Sequence, residues 1–341
     1  MKSDEEIVNP IECEIDLDAD GKQVGYLRLP HSVHRSAYGW IPVPIASIKS
    51  GDGPTILIMA GNHGDEYDGQ VIVSELIREI PSDAVSGQLI LLPMANFPAA
   101  AAGLRTSPID GGNLNRSFPG DPAGSPTEIM AHYIEHVLLA RCQYLVDLHS
   151  GGSSLLYDTA TMLMLEPRDT DEAPEVMRLL NMFGLPLAFL HGLNPVLSSA
   201  AARRQNAIAI ITELGGAGMV DPVMIQLARR GLMHLLGYIG VLNGRIVPES
   251  PPTIPQILAV EGAHHYVYAR DNGVFEPLVE LGEWVASGQA AARIHFVDEP
   301  LREPVVLRFS GDGRVCCKRV PALVQRGDCL FQLAKNHEGA S

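Results

Sequence analysis

The sequence predicts an α/β fold: a mostly parallel mixed sheet flanked by helices, followed by a smaller C-terminal β domain. Three observations predict it. Short apolar runs alternate with helical patterns over residues 51 to 245, the signature of a sheet covered on both faces. A proline cluster, Pro248 to Pro255, then interrupts the pattern just after Asn243-Gly244. Beyond it the composition turns to short strands and glycines.

Taken in order, residues 1–50 form a β-rich lead-in of short apolar pairs broken by Pro, Gly and Asp. Val43 to Ile48 reads as a strand ended by Ser50-Gly51-Asp52-Gly53-Pro54, and Pro44 places it at an edge. The central domain, 51–245, carries strands at Thr55 to Ala60, Gln88 to Met94, Tyr144 to Leu148 and Ala207 to Thr212. Its helices are expected at Gly69 to Glu79, Pro126 to Ala140 and Asp221 to Leu242. In the C-terminal domain, 256–336, Val285-Ala-Ser-Gly288-Gln is echoed by Val324-Gln-Arg-Gly327-Asp. Two similar hairpin units would make a small β-sandwich. Biotinyl and lipoyl carriers share that echo but keep a lysine at a hairpin tip; the expected tip here, Ser310 to Arg314, has none, so the unit reads as a structural appendage.

Composition narrows the function. The chain has 341 residues, 46% hydrophobic and 19% charged, enough for a large core with an appendage or for two domains. A net charge of -15 repels phosphate backbones and anionic membrane surfaces, so neither nucleic acid nor membrane is an expected partner. Five cysteines, with no C-x-x-C pair, fit a reducing cytoplasm. The charged start, Met1 to Glu6, leads into no apolar segment, and no run of about 18 apolar residues occurs, which points to a soluble, unexported protein. Whether the chain forms a homo-oligomer is left open.

Chemistry concentrates at strand ends, where open α/β sheets place their ligands. Thr55 to Ala60 runs into Gly61-Asn62-His63-Gly64-Asp65-Glu66, a histidine and a carboxylate three positions apart. Zinc takes both ligand types, and a catalytic site wants three protein ligands with a position left for water. By itself the pair is a polar turn. His149 follows the strand Tyr144 to Leu148 and supplies the third ligand; alone it reads as a loop histidine, but with His63 and Glu66 the metal reading is the better one. Asp147 lies on the same side of that strand, as an acceptor orienting a ligand histidine or as a turn cap. Glu213 ends the apolar run Ala207 to Thr212; it is either a general base at the mouth of the sheet or a carboxylate facing solvent. Between the ligand segments, Asp110-Gly-Gly-Asn-Leu-Asn-Arg116 offers a guanidinium suited to a carboxylate, with Asn115 beside it.

As a set, His63-x-x-Glu66, Asn113-Leu-Asn115-Arg116, Asp147-Leu-His149 and Glu213 resemble the succinylglutamate desuccinylase/aspartoacylase family of the zinc carboxypeptidase superfamily, over residues 51 to 245 and the C-terminal domain. The resemblance implies one Zn²⁺ per chain on His63, Glu66 and His149, and Glu213 as general base. It implies that Asn115 and Arg116 hold the α-carboxylate of a small N-acyl amino acid. Arg105 matches the arginine that polarises the scissile carbonyl, although its interval to Asn113 is longer here. Arg203 matches a further substrate-binding arginine, with Arg204 as its competitor. Within the family, Asp18 to Pro30, Asn62 to Tyr67 and the length are most similar to the branch that deacetylates N-α-acetyl-L-2,4-diaminobutyrate in ectoine degradation.

Two other readings compete. A carboxypeptidase-type peptidase would share every catalytic residue and differ in the room its cleft leaves. A non-catalytic binding protein on the same fold would have no use for Glu213. Absence of G-x-S-x-G, a P-loop and G-x-G-x-x-G disfavours serine hydrolysis and nucleotide chemistry.

Overall fold

The structure is a computed structural model and describes residues 8–165, 173–191, 194–244 and 246–337. The charged start Met1 to Glu6 and Arg245, the expected end of the central domain, lie outside the described residues. A short strand β1 (Glu12–Cys13) leads to a long hairpin of β2 (Gly21–Pro30) and β3 (Trp40–Ser50). Then come β4 (Thr55–Ala60), α1 (Tyr67–Glu79), β5 (Gly87–Leu92), α2 (Phe97–Ala102), α3 (Pro126–Tyr133) and β6 (Tyr144–His149). They are followed by β7 (Leu155–Leu165), α4 (Ala173–Phe183), β8 (Leu187–His191), α5 (Ser198–Arg204), β9 (Ile208–Gly216) and α6 (Pro222–Tyr238). The remaining strands are β10 (Gln256–Ala259), β11 (Tyr266–Tyr268), β12 (Gly273–Pro277), β13 (Trp284–Val285), β14 (Ala290–His295), β15 (Val305–Arg308), β16 (Gly313–Arg319), β17 (Leu323–Val324) and β18 (Cys329–Asn336).

The large sheet runs β1-β2-β3-β5-β4-β6-β9-β7-β8-β10-β18-β16-β13. Its centre, β5-β4-β6-β9, is parallel, and the strands on either side of that centre join it antiparallel. Strand β4 is apolar throughout because both its faces are covered. Ile56, Ile58 and Ala60 pack with Ile72 and Leu76 of α1 and with Leu232 and Leu236 of α6. Leu57 and Met59 point the other way, to Met130 and Ile134 at α3 and Ala201 of α5. Helix α3 starts on a capping box between Ser125 and Glu128 with Pro126 in its first turn. It gives way at Ile134 to a π turn instead of continuing to Ala140 as expected.

Strand β3 is longer than expected and interior, lying between β2 and β5. Its prolines are accommodated because β5 pairs only with Ala46 to Ser50, so Pro42 and Pro44 have a neighbour on the β2 side alone. Segments between His149 and Ala207 supply β7, α4, β8 and α5, none of which the sequence pattern announces.

The C-terminal strands depart from the expected self-contained sandwich. One sheet is separate, in the order β15-β14-β12-β17, but the facing strands belong to the large sheet. Strand β10 pairs parallel with β8 and antiparallel with β18, while β16 pairs with β7. The two echoed segments occupy equivalent places: β13 pairs with β16, and β17 pairs with β12. Val285 and Val324, the matched valines, are both buried. The turn at Ser310 to Arg314 does not close a hairpin, since β15 and β16 lie in different sheets. Among the described residues no helix is long and apolar enough to cross a membrane.

Candidate active site

Parallel register sets the site. Ala60 pairs with Leu148 and Leu148 with Thr212, so β4 and β6 end within a residue of each other and His149 lies directly beside Glu213. Glu213 stands inside β9 and not at its end as expected, because the strand runs on to Gly216 to pair with Leu156 of β7. The chain leaves β4 through Gly61 at φ 67°, a left-handed turn that glycine takes without strain. Gly64 then passes so close to α2 that a Cβ would lie 2.1 Å from the Ala99 carbonyl carbon. Its N–H donates to the Leu104 carbonyl at 2.9 Å, fastening the His63 loop to the segment that carries Arg105. Asp65 fastens it on the other side, accepting from Ser153 N at 2.8 Å and Ser153 Oγ at 2.7 Å.

Glu66 stands at the N-cap of α1, yet its carboxylate makes no cap. It turns inward, where Oε1 lies 2.7 Å from His63 Nδ1 and Oε2 lies 2.8 Å from His149 Nδ1. All three side chains are buried. The second nitrogen of each ring meets an oxygen: His63 Nε2 is 3.2 Å from Asn113 Oδ1, and His149 Nε2 is 2.9 Å from Asp147 Oδ2. These contacts put the ring hydrogens on Nε2 and leave both Nδ1 lone pairs facing the carboxylate. Three electron-pair donors so placed repel unless a cation or shared protons lie among them, and their ligand atoms lie within 4.8 Å of one another. The group can therefore hold a metal ion. Without one, protons take that place: burial opposes charge on His149, but Asp147 and Glu66 raise its pKa well above the usual range. Burial likewise opposes ionisation of Glu66, and the two histidines overcome it, holding its pKa below the ordinary carboxylate range.

Asp147 is fully buried, and its Oδ2 also accepts from Asn62 Nδ2 at 3.0 Å and Ser198 Oγ at 2.6 Å. The Ser198 N–H donates to Asn115 Oδ1 at 2.9 Å, and the Asn115 amide nitrogen lies 3.3 Å from His149 Nε2. Arg105 brings Nη1 to 3.5 Å from Glu66 Oε1. Arg116 donates to the Asn115 carbonyl at 2.8 Å. Burial and the neighbouring Arg105 both lower the proton affinity of Arg116, so an anion between the two guanidiniums would relieve their repulsion. Glu213 has a buried Oε2 without a partner among the described residues; burial and then Glu66 push its pKa well up, against the opposing pull of His149 and Arg105.

Together these groups line a cavity of about 270 Å³ that includes His63, Glu66, His149, Glu213, Arg105, Asn115 and Arg116. Arg203 is not among its lining residues: it lies more than a turn along α5 from Ser198 and Ser199, the residues by which that helix reaches the cavity. Arg204 is engaged elsewhere, with both Glu135 oxygens at 2.7 Å. Sequence reasoning missed Ser198 and Tyr157 at the cavity and the contact of Asn113 with His63. Asn113 stood inside a quoted motif, but Ser198 carries no local signal, since only the fold brings α5 under Asp147.

The fold and the cavity define a class: an α/β protein in which a metal-ready pair of histidines and a carboxylate shares its cavity with a second carboxylate of raised proton affinity. Residues 52–239 match the succinylglutamate desuccinylase/aspartoacylase catalytic domain. The chain is 38% identical over 331 residues to the N-alpha-acetyl-L-2,4-diaminobutyric acid deacetylase of Halomonas elongata, covering 96% of this chain and 95% of that one. Among solved structures it is similar to the product-bound ectoine utilization protein EutE (DoeB) from Ruegeria pomeroyi, with a TM-score of 0.90 and 35% identity over 96% of this chain and 99% of that one. A succinylglutamate desuccinylase/aspartoacylase from Rhodobacter sphaeroides gives 0.89 and 34% over 96% and 99%. The chain belongs to the succinylglutamate desuccinylase/aspartoacylase family, and as a member it is a hydrolase.

Proposed function

We propose that this chain hydrolyses N-α-acetyl-L-2,4-diaminobutyrate to 2,4-diaminobutyrate and acetate, the deacetylation step of ectoine degradation, with one zinc ion held by His63, Glu66 and His149. The observation that carries the chemistry is the convergence of both Nδ1 atoms on the Glu66 carboxylate, with Glu213 lining the same cavity. The likeness to the Halomonas elongata deacetylase and to EutE supports the substrate.

When bound, zinc supplies Lewis acidity toward the scissile carbonyl and the attacking water. Asn113 and Asp147 keep the two imidazoles oriented for it. Glu213 takes the proton of the attacking water and returns it to the departing amine nitrogen. The raised proton affinity of Glu213 suits that exchange, because a carboxylate that ionised too readily would not accept the proton. Arg105 faces the carbonyl oxygen, and Arg116 with Asn115 holds the α-carboxylate. Arg203 is given no substrate contact. Five free thiols support a reducing compartment, the cytoplasm.

The likeness to a deacetylase of a small N-acetyl amino acid argues for a small substrate rather than a peptide with residues on both sides of the bond. The test pairs metal analysis with an activity screen. Purified protein should carry close to one zinc per chain, lost in His63→Ala and His149→Ala, and should cleave N-α-acetyl-diaminobutyrate well above unblocked dipeptides. Full zinc in both variants sinks the metal site; better cleavage of peptides replaces this reading with the peptidase one.

A further inference from the structure

A second chamber of about 430 Å³ adjoins the metal cavity, between the central strands and the C-terminal ones. The two share four lining residues: Arg116, Leu155, Tyr157 and Glu213. Beyond them the chamber's walls include Phe189, Val260, Tyr266, Cys317, Cys329 and Gln332. Resting on the proposed reading of the site as an N-acyl amino acid hydrolase, the positions of Glu213 and Arg116 orient the substrate. Glu213 must reach the departing nitrogen, and Arg116 the α-carboxylate. The Cα atom joining those two groups therefore lies between Glu213 and Arg116, which is the passage between the cavities. Its third substituent, the side chain, has the second chamber before it.

We propose that this chamber receives the amino-acid side chain and that its lining admits an uncharged or cationic arm while rejecting a carboxylate. Volume cannot make the choice, because the chamber exceeds a two-carbon arm. Polarity makes it. Arg116 is the only cationic side chain among the described lining residues, and the α-carboxylate engages it. A second carboxylate would be desolvated without a partner of opposite charge. An ammonium group instead needs acceptors, and the chamber supplies them. Gln332 Nε2 donates to the Tyr266 hydroxyl at 2.9 Å, which turns the amide nitrogen toward the tyrosine and leaves Gln332 Oε1 with no protein partner among the described residues. The Tyr157 hydroxyl, at the passage, likewise has none there. Gln332 and Tyr266 stand on β18 and β11, paired opposite one another, so the C-terminal strands act here as a specificity element.

The test is a pair of opposite charge changes read on three substrates. Gln332→Lys and Gln332→Glu are assayed with N-acetyl-diaminobutyrate, N-acetylaspartate and N-acetylglycine, the last having no arm. In Gln332→Lys, KM for the ammonium arm should rise about tenfold or more and that for N-acetylaspartate should fall, the scale of one partly screened charge contact. Gln332→Glu should shift both in the opposite direction, and N-acetylglycine should stay within about twofold in either. A damaged fold would lower activity on all three alike, so opposed shifts cannot come from damage. If either variant does not fold, Tyr266→Phe removes one hydroxyl and should raise KM several-fold, by about 1 kcal/mol of hydrogen bonding, for the ammonium arm alone. Equal shifts on all three substrates, or none, overturn the proposal. Wild type failing on N-acetylglycine and every other N-acyl amino acid overturns the hydrolase reading itself, a separate and earlier result.

Discussion

At the residue scale the site works by opposition of charge. Glu66 is anionic between two imidazoles, whereas burial and then Glu66 raise the proton affinity of Glu213, which lies beside His149 on the next strand. Two carboxylates with affinities pushed apart can take different roles, one as ligand and the other as base. Glu213→Gln keeps the shape and removes the base, so zinc should stay bound while kcat falls by roughly a hundredfold or more. Arg116→Ala removes a clamp used in ground and transition states alike, so KM should rise at least as much as kcat falls. A substrate amidated at the α-carboxylate separates the two: wild type should handle it poorly, and Arg116→Ala should no longer discriminate against it. Near-normal turnover by Glu213→Gln would falsify the base assignment. Asp110 anchors the Asn113–Arg116 segment, accepting from Gly112 N at 3.0 Å and Thr127 N at 2.8 Å. Burial pushes its pKa up, but the donors of Gly112 and Thr127 overcome it and lower it from 3.8. A depressed carboxylate adds stability above its unfolded pKa and loses it as pH falls through the folded one. Asp110→Asn should thus lower the melting temperature most at neutral pH, and the gap should close below about pH 4. A gap independent of pH would show that the carboxylate charge has no part in anchoring the loop.

At the scale of elements, α5 gives the site its least visible support. Its first residue, Ser198, joins two parts of the machinery, donating from Oγ to Asp147 and from N to Asn115. Ser198→Ala keeps the backbone N–H and loses only the bond to Asp147, so zinc affinity should fall by about ten- to a hundredfold with a smaller effect on KM. Competition with a chelator measures it; unchanged affinity would mean that Asn62 and His149 alone hold Asp147. Nothing in the run Ser198-Ser-Ala-Ala-Ala announces this role, because a serine before small residues is common at any helix start. By contrast, His149 and Glu213 were legible. Each closes a run of apolar residues, and a charged side chain at that point of a buried strand needs a reason. Strand β7 went unread although it is long, since its residues show no strict alternation.

Across the whole molecule, the C-terminal strands are continuous with the catalytic sheet, joined through β10 on β8 and β16 on β7. Leu187 and Phe189 of β8 are buried against Leu258, Cys316 and Ala334, all beyond the proline cluster. A chain ended at residue 244 would expose that surface and an open strand edge, so it should aggregate or melt without cooperativity, as read by light scattering and calorimetry. A soluble, cooperatively folded fragment would show that the central part is self-sufficient. By itself the sequence determined the α/β class, the segments bearing His63, Glu66, His149 and Glu213, and the family, because apolar periodicity and local spacing are properties of contiguous residues. Only the tertiary structure decided what meets across distance: Asn113 on His63, Ser198 beneath Asp147, and Gln332 with Tyr266 at a chamber shared with Glu213. Those contacts depend on sheet order and register, and a strand of four to eleven residues carries in its own pattern which face is buried but not which strand it will lie against.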